Sequence, residues 1–353
     1  MQRFRRMDGL RGALAVYVML AHALPFTNLP PWFCGLFHHG EAAVDLFFCL
    51  SGLVITQSLT RAGGRFWPFI RARLLRLMPV YIVALALSTA LLPGNPAAGM
   101  PWAAPSDDVF WSPGLPSFFI WHLGLHLLLL QGVLPACVLP FAWESLLTPA
   151  WSLSTEWQFY LLLGLVAPRR MAPLCLGLLT LGMADHLIIL PPCWQFSRAF
   201  LPDAAPYFAL GLASIGILHG PGAARRVDYA LFLVCLVCAC MIGWHTALNK
   251  ALPPLVWALI LAVQRHPAGA VLETRPLLAL GAISYPLYLI HEPLQRALAM
   301  LIAPIAAGRA GVFTLLWLPL ALIIPILAAV TLHYSVERRF MQRRGLPATP
   351  PAT

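Results

Sequence analysis

The sequence predicts an all-α protein that crosses a membrane about ten times and keeps both termini in the cytoplasm. Of its 353 residues, 60% are hydrophobic and only 10% are charged, and apolar stretches recur along the whole chain. A transmembrane helix needs about 20 consecutive, mainly apolar residues, and this composition supplies many such stretches. The arginines gather in alternate loops between them, which is the pattern of cytoplasmic loops in membrane proteins.

Ten crossings are expected, and the first is retained as a helix because no small-residue cleavage site follows it. In chain order they cover residues 7–26, 41–59, 74–92, 149–166, 172–190, 206–218, 228–246, 251–264, 277–302 and 312–333. On this map the only basic residues in outer loops are Arg198, Lys250 and Arg309, which sets the orientation. We expect one transmembrane domain over 1–340 and a short basic, proline-containing cytoplasmic tail over 341–353.

The segment between the third and fourth crossings has no lysine or arginine from residue 93 to residue 149. If its apolar part, 118–134, crossed the membrane, the loop after it would lie in the cytoplasm without a basic residue. We therefore favour a re-entrant or interfacial helix over 118–134, with a spanning helix as the alternative.

Charge distribution, histidine spacing and cysteine positions indicate which partners and ligands to expect. The net charge of +10 comes from arginines in the predicted cytoplasmic loops, so we expect a lipid bilayer and no nucleic acid as partner. His122 and His126 have helical ligand spacing but no third ligand nearby, so no metal site is predicted. Cys34, Cys137 and Cys193 fall in outer segments, and which two of them could pair stays open. The oligomeric state does not follow from the sequence.

A polar stripe runs along the first helix. Arg11 and His22 are eleven residues apart, close to three helical turns, so they face the same way as Asp8. Charged groups inside a bilayer are costly unless they face protein or water, which makes the stripe a functional hypothesis. The alternative is that the stripe has no function: the Arg11 side chain extends to the inner membrane surface, and His22 is hydrogen-bonded to a backbone carbonyl.

Two carboxylates are expected at the depth of that histidine. Counted from the outer ends of their helices, His22 and Asp45 lie about 6 Å deep and Glu156 about 10 Å deep. A histidine held by a carboxylate is a general base or a nucleophile, so these three are the catalytic candidates. The alternative for Asp45 is a helix cap at the membrane interface.

Four more residues are candidates for the wall of the same cavity, namely Ser51, Tyr160, Tyr288 and His291. Tyr160 shares the helix face of Glu156, and Tyr288 and His291 are three residues apart near the middle of the 277–302 helix. For Ser51 the alternative is close packing beside Gly52, and for His291 it is a hydrogen bond to a carbonyl freed by a proline.

A cluster of arginines is expected at the cytoplasmic ends of the first and third helices: Arg11, Arg71, Arg73 and Arg76. Guanidinium groups bind phosphate through paired hydrogen bonds, so the cluster suits a phosphate-bearing ligand. Anionic lipid headgroups are the alternative ligand.

Six sequence motifs, taken in chain order, resemble those of the bacterial membrane acyltransferase-3 family. Arg11 and His22 are spaced as in that family, and the other five segments are AVDLFFCLSGLVI (43–55), FIRARLLRLMPVY (69–81), WSLSTEWQFYLL (151–162), ISYPLYLIHEP (283–293) and HYSVERRF (333–340). Members of that family O-acylate cell-surface glycans and some small molecules.

The resemblance implies an integral O-acyltransferase of the bacterial inner membrane. The donor would be acetyl-CoA or another acyl-CoA on the cytoplasmic side, and the acceptor a carbohydrate hydroxyl outside. His22 would be the catalytic histidine, and Arg73 and Arg76 would bind the donor. Two routes stay open: His22 deprotonates the acceptor hydroxyl, or it first takes the acyl group as an acyl-histidine intermediate. The alternatives are a transporter or flippase without acyl transfer, and transfer of succinyl or a longer acyl group.

Overall fold

The computed structural model describes residues 5–95, 100, 114–167, 171–188, 190–218, 226–246, 248–264 and 266–342. Within these ranges the chain is helical and forms no β-strand, which confirms the all-α class. The helices are α1 (Arg5–Ala23), α2 (Pro31–Gly35), α3 (Gly40–Arg61), α4 (Phe66–Leu91), α5 (Phe119–Leu128), α6 (Ala150–Val166), α7 (Met171–Leu187), α8 (Leu201–Leu218), α9 (Arg226–Thr246), α10 (Leu248–Val263), α11 (Arg275–Ala282), α12 (Ser284–Ala306), α13 (Ala310–Leu332) and α14 (Arg338–Gln342). The predicted tail lies outside the described residues from position 343 onward.

Six helical stretches in the described part of the chain are long and apolar enough to cross a membrane. They are Arg5–Phe26, Pro31–Arg61, Phe66–Leu91, Leu201–Leu218, Arg226–Trp244 and Ala310–Phe340. Two bent helix pairs, Lys250–Val263 with Pro267–Glu273 and Arg275–Ala282 with Ser284–Ala306, raise the number to eight if each is one span. The protein is thus a multi-pass membrane protein. Ten spans would also require α6 and α7, 17 residues each, to cross; that number and the inner termini stay predictions.

The crossing predicted over 277–302 is bent in the structure. The chain bends by 74° between α11 and α12. Pro286 explains the break, because a proline ring clashes with the carbonyl four residues earlier in a continuous helix. That carbonyl belongs to Ala282, where α11 ends. The bend lets α12 turn its polar residues toward the interior of the bundle.

The segment before α6 is partly buried rather than spread over the surface. Its helix α5 has ten residues, about 15 Å, which is half the thickness of the hydrocarbon core. This length fits a re-entrant or interfacial helix, although the helix is shorter than the predicted 118–134. Beyond it, Gln131 is fully buried and its side-chain amide donates to the carbonyl of Ala150 over 3.0 Å. Consequently α6 begins inside the protein.

A disulfide joins Cys137 in this segment to Cys193 in the loop before α8, and Cys34 is a buried free cysteine. The pairing that the sequence left open is thereby assigned. Disulfides form in oxidising compartments, so the bond fits the predicted position of both segments outside the cytoplasm.

Close helix crossing fixes α3 beside α8. A Cβ added to Gly52 would lie 2.5 Å from the carbonyl oxygen of Phe208, and one added to Gly211 would overlap the carbonyl oxygen of Cys49. Only glycine permits such an approach of two backbones. The opposite face of α3 is then free to line the interior of the bundle.

Candidate active site

A cavity lies between α1, α3, α4, α6 and α12. We call it the central cavity. One face of α3 lines it from Val44 to Val54, ten residues or about 15 Å along the helix. Gly40 packs against Ala21, so the Val44 end of the cavity is the end nearer His22 and the Val54 end is nearer Arg11.

Glu156 is the acidic residue in the wall of the central cavity. The hydroxyl of Ser51 donates a hydrogen bond to its carboxylate over 2.5 Å, and the hydroxyl of Tyr160 donates another. Both donors are buried and line the cavity with it. The three residues form one hydrogen-bonded group at mid-length of the cavity.

Three arginines, Arg11, Arg73 and Arg76, line the same cavity. The guanidinium of Arg73 donates to the hydroxyl of Ser58 and lies 5.7 Å from the ring centre of Tyr160. The Nε atoms of Arg11 and Arg73 are buried and have no hydrogen-bond partner among the described residues. Buried donors of this kind are costly unless a ligand or water satisfies them, and Nε of Arg198 and of Arg338 outside the cavity is in the same state. What sets this end of the cavity apart is that three arginines line one space.

His22 lies beyond the other end of the central cavity and is not one of its lining residues. Its ring meets the ring of His291 edge to face, with 5.1 Å between the ring centres. Tyr288 lines the cavity, lies 6.2 Å from His291 between ring centres, and shares a 2.8 Å hydrogen bond with Ser152. His291 therefore has the ring of His22 on one side and the ring of Tyr288, a residue of the cavity wall, on the other.

Comparison with known proteins decides the family. The chain matches the family described as "Acyltransferase domain" over residues 4–334, which is nearly its whole length. The chain belongs to the acyltransferase-3 family. The resemblance seen in its six motifs is thereby confirmed, and the protein is a multi-pass membrane acyltransferase.

Two relatives agree with this assignment. A "Putative membrane-bound transacylase BcsY" of Komagataeibacter xylinus is 30% identical over 322 residues, which is 82% of this chain and 72% of the relative. "Protein 2 in picA locus" of Rhizobium radiobacter is 34% identical over 166 residues, which is 44% of this chain and 78% of the relative. No solved structure significantly matches this acyltransferase.

The geometry corrects the predicted contact of Glu156 with His22 in this acyltransferase. Glu156 accepts a hydrogen bond from Ser51. Ser51 lies six residues after Asp45 in α3, so it is about 9 Å farther along the helix axis, toward the end that carries the arginines. The depth count assumed that α6 starts at the membrane surface, but its first residue, Ala150, is fully buried. Glu156 therefore lies deeper than predicted, nearer the arginines than the histidines.

Asp45 belongs to a separate group, which we call the outer charged cluster. Its charged neighbours are Glu41, Arg198, Asp203 and Lys250, and it is not a lining residue of the central cavity. Arg198 pairs with Glu41, and Lys250 pairs with Asp203 over 2.7 Å. The prediction that Asp45 shares a catalytic cavity with Glu156 is therefore wrong.

Arg71 is also corrected, because it is exposed and does not line the central cavity. Residues two apart on a helix face nearly opposite ways, whereas residues three apart share a face. The spacing thus brings Arg73 and Arg76 together and turns Arg71 away from both.

One lining residue, Tyr285, was missed as a candidate. It donates its hydroxyl to the carbonyl of Leu77 over 2.6 Å. Helical spacing was the available signal, since Tyr285 lies three residues before Tyr288.

Proposed function

We propose that this acyltransferase moves an acetyl group from acetyl-CoA, bound from the cytoplasmic side of the bacterial inner membrane, to a hydroxyl of a cell-surface or periplasmic glycan. The observation that carries the proposal is that three arginines, Arg11, Arg73 and Arg76, line the central cavity together with a single carboxylate, Glu156.

Charge in the cavity supports a phosphate-bearing donor. Three arginines face one carboxylate, Glu156, so the lining has an excess of positive charge. Burying unbalanced charge within a membrane protein is costly, and a bound anion would remove that cost. Guanidinium groups match phosphate through paired hydrogen bonds, and acyl-CoA carries several phosphates.

The shape of the cavity suits the rest of the donor. Beyond Ser51 its wall becomes apolar, with Val44, Phe47 and Leu289 among the lining residues. An extended pantetheine arm with a small acyl group can lie along such a wall. Arg11 and His22 are separated by about 16 Å along α1, a distance that such an arm can cover. Tyr288 must move aside for the thioester to reach His22.

The chemistry at His22 follows from the properties of imidazole. Its ring nitrogen takes the proton of the acceptor hydroxyl while the hydroxyl oxygen attacks the thioester carbonyl carbon. The carbon–sulfur bond breaks, and the CoA thiolate leaves and takes the proton from His22. In the two-step variant the ring nitrogen attacks first and forms an acyl-imidazole, which the acceptor then cleaves.

The direct test measures CoA thiol release from acetyl-CoA by the purified protein in detergent. We expect release by the wild type and a loss of about 10²- to 10⁴-fold for His22→Ala, the usual size of an acid–base contribution. The matched control is His38→Ala, since His38 is exposed in the loop before α3. Full activity of the His22 variant would remove this residue from the site. Absence of thiol release by the wild type would argue against the donor.

Two further measurements define the route and the acceptor. A labelled acetyl group trapped on His22 without acceptor would establish the two-step route. Mass spectrometry of surface glycans should show the loss of an acetyl increment when the chain is deleted, and its return with the wild type but not with His22→Ala.

A further inference from the structure

Glu156 presents one open carboxylate oxygen to the central cavity. Its Oε1 accepts both hydrogen bonds of the group, from the hydroxyls of Ser51 and Tyr160. Its Oε2 accepts none from the described residues, and it is not among the atoms that they bury without a partner. Because Glu156 lines the cavity, this oxygen is open to the cavity space. A charged acceptor in such a place requires a donor, which water or a ligand must supply.

The other polar side chains of the cavity wall either have partners or are donors. Each hydroxyl that lines the cavity has a partner among the described residues: Ser51 and Tyr160 bind Glu156, Ser152 and Tyr288 bind each other, Tyr285 binds the carbonyl of Leu77, and Ser284 binds the carbonyl of Gly281. The three arginines of the wall carry donors and no acceptor. Among the described lining side chains, Oε2 of Glu156 is therefore the acceptor left for a ligand.

The level of Glu156 in the cavity follows from its hydrogen bond to α3. Ser51 holds the carboxylate of Glu156, whereas Ser58 accepts a hydrogen bond from the guanidinium of Arg73. Ser51 and Ser58 are seven residues apart, close to two helical turns, so they share a face of α3 and lie about 10 Å apart along its axis. A donor with its phosphates at Arg73 and its thioester directed toward His22 passes Glu156 on the way.

We propose that Glu156 recognises the pantetheine arm of the donor by accepting a hydrogen bond from one of its amide N–H groups; this assignment rests on the proposed function. The arm is uncharged, and its amides lie between the phosphates and the thioester. Each amide N–H loses its water when the arm enters the cavity, so a carboxylate acceptor there replaces the lost hydrogen bond. Glu156 is a binding residue that selects pantetheine thioesters, and it takes no proton during acyl transfer.

The test measures kcat/KM for thiol release by the wild type and Glu156→Gln on three acetyl thioesters. Acetyl-CoA carries phosphates and amides, S-acetyl-pantetheine keeps the amides alone, and S-butyl thioacetate has neither. Glutamine keeps an oxygen for the hydroxyls of Ser51 and Tyr160, but it places an NH2 donor where Oε2 was. Loss of a hydrogen bond to a charged group should lower kcat/KM about 10- to 150-fold for acetyl-CoA and for S-acetyl-pantetheine. The value for S-butyl thioacetate should stay at that of the wild type.

The matched control is Glu273→Gln. It removes the same charge from an exposed side chain that pairs with Arg6 over 3.0 Å and does not line the central cavity. This variant should keep the wild-type kcat/KM on all three thioesters.

Three results for Glu156→Gln would overturn the proposal. An equal loss on all three thioesters would mean that Glu156 supports the fold or takes part in the chemistry. A loss on acetyl-CoA alone would place its effect at the phosphates, and no loss on any thioester would mean that Oε2 faces only water. Failure of the proposed function is a separate result, because the wild type would then release no thiol from acetyl-CoA. If the wild type releases thiol and Glu156→Gln shows one of the three results, only the pantetheine contact fails.

Discussion

Replacing Arg73 by alanine should weaken the binding of acetyl-CoA about 10- to 150-fold. In the structure Arg73 has a buried Nε without a partner among the described residues, and it also donates to Ser58. The free Nε–H and the positive charge are what a donor phosphate would engage. A hydrogen bond between charged groups contributes about 1.5–3 kcal/mol, and each 1.4 kcal/mol corresponds to a factor of ten in affinity.

The assay uses two donors that differ in their phosphates. Acetyl-CoA carries the nucleotide phosphates, whereas S-acetyl-pantetheine lacks them and keeps the same thioester. Arg73→Ala should raise the KM for acetyl-CoA and leave the KM for S-acetyl-pantetheine close to that of the wild type. The control is Arg71→Ala, which removes the same charge two residues away from an exposed position on α4.

Two results would refute this assignment. Equal losses on both donors would mean that Arg73 supports the fold or the thioester rather than a phosphate. Equal losses in Arg71→Ala and Arg73→Ala would mean that the arginines act together on the membrane surface, as anionic lipid binding predicts.

The remaining predictions concern Tyr288, at the His22 end of the central cavity, and the packing of α3 against α8. On the proposed route Tyr288 leaves Ser152 before the thioester reaches His22. Tyr288→Phe should therefore raise CoA release about 2- to 10-fold, and a slower enzyme would contradict this order of events. Gly211→Ala should lower the melting temperature through overpacking of about 1–3 kcal/mol against α3, whereas Gly177→Ala, with no atom within 4 Å of the added Cβ, should not.

Helix positions and the polar stripe could be predicted from the sequence because they depend on local periodicity. Helical spacing was enough to place Arg73 beside Arg76, and apolar length was enough to find most of the spans. The depth of Glu156 could not be predicted, since it depends on the buried course of the segment before α6. The contact of His22 with His291 also could not be predicted, because periodicity within a helix does not tell which helices are neighbours.

The two charged groups of the protein differ in the sign of their unbalanced charge. In the outer charged cluster Arg198 pairs with Glu41 and Lys250 with Asp203, and the carboxylate of Asp45 is left over, so this cluster has an excess of negative charge. In the central cavity three arginines line the same space as a single carboxylate, and that carboxylate accepts hydrogen bonds from two hydroxyl groups. Unbalanced charge inside a membrane protein is costly, and only an ion of opposite sign removes that cost. An anionic substrate would therefore be attracted to the central cavity and repelled by the outer charged cluster.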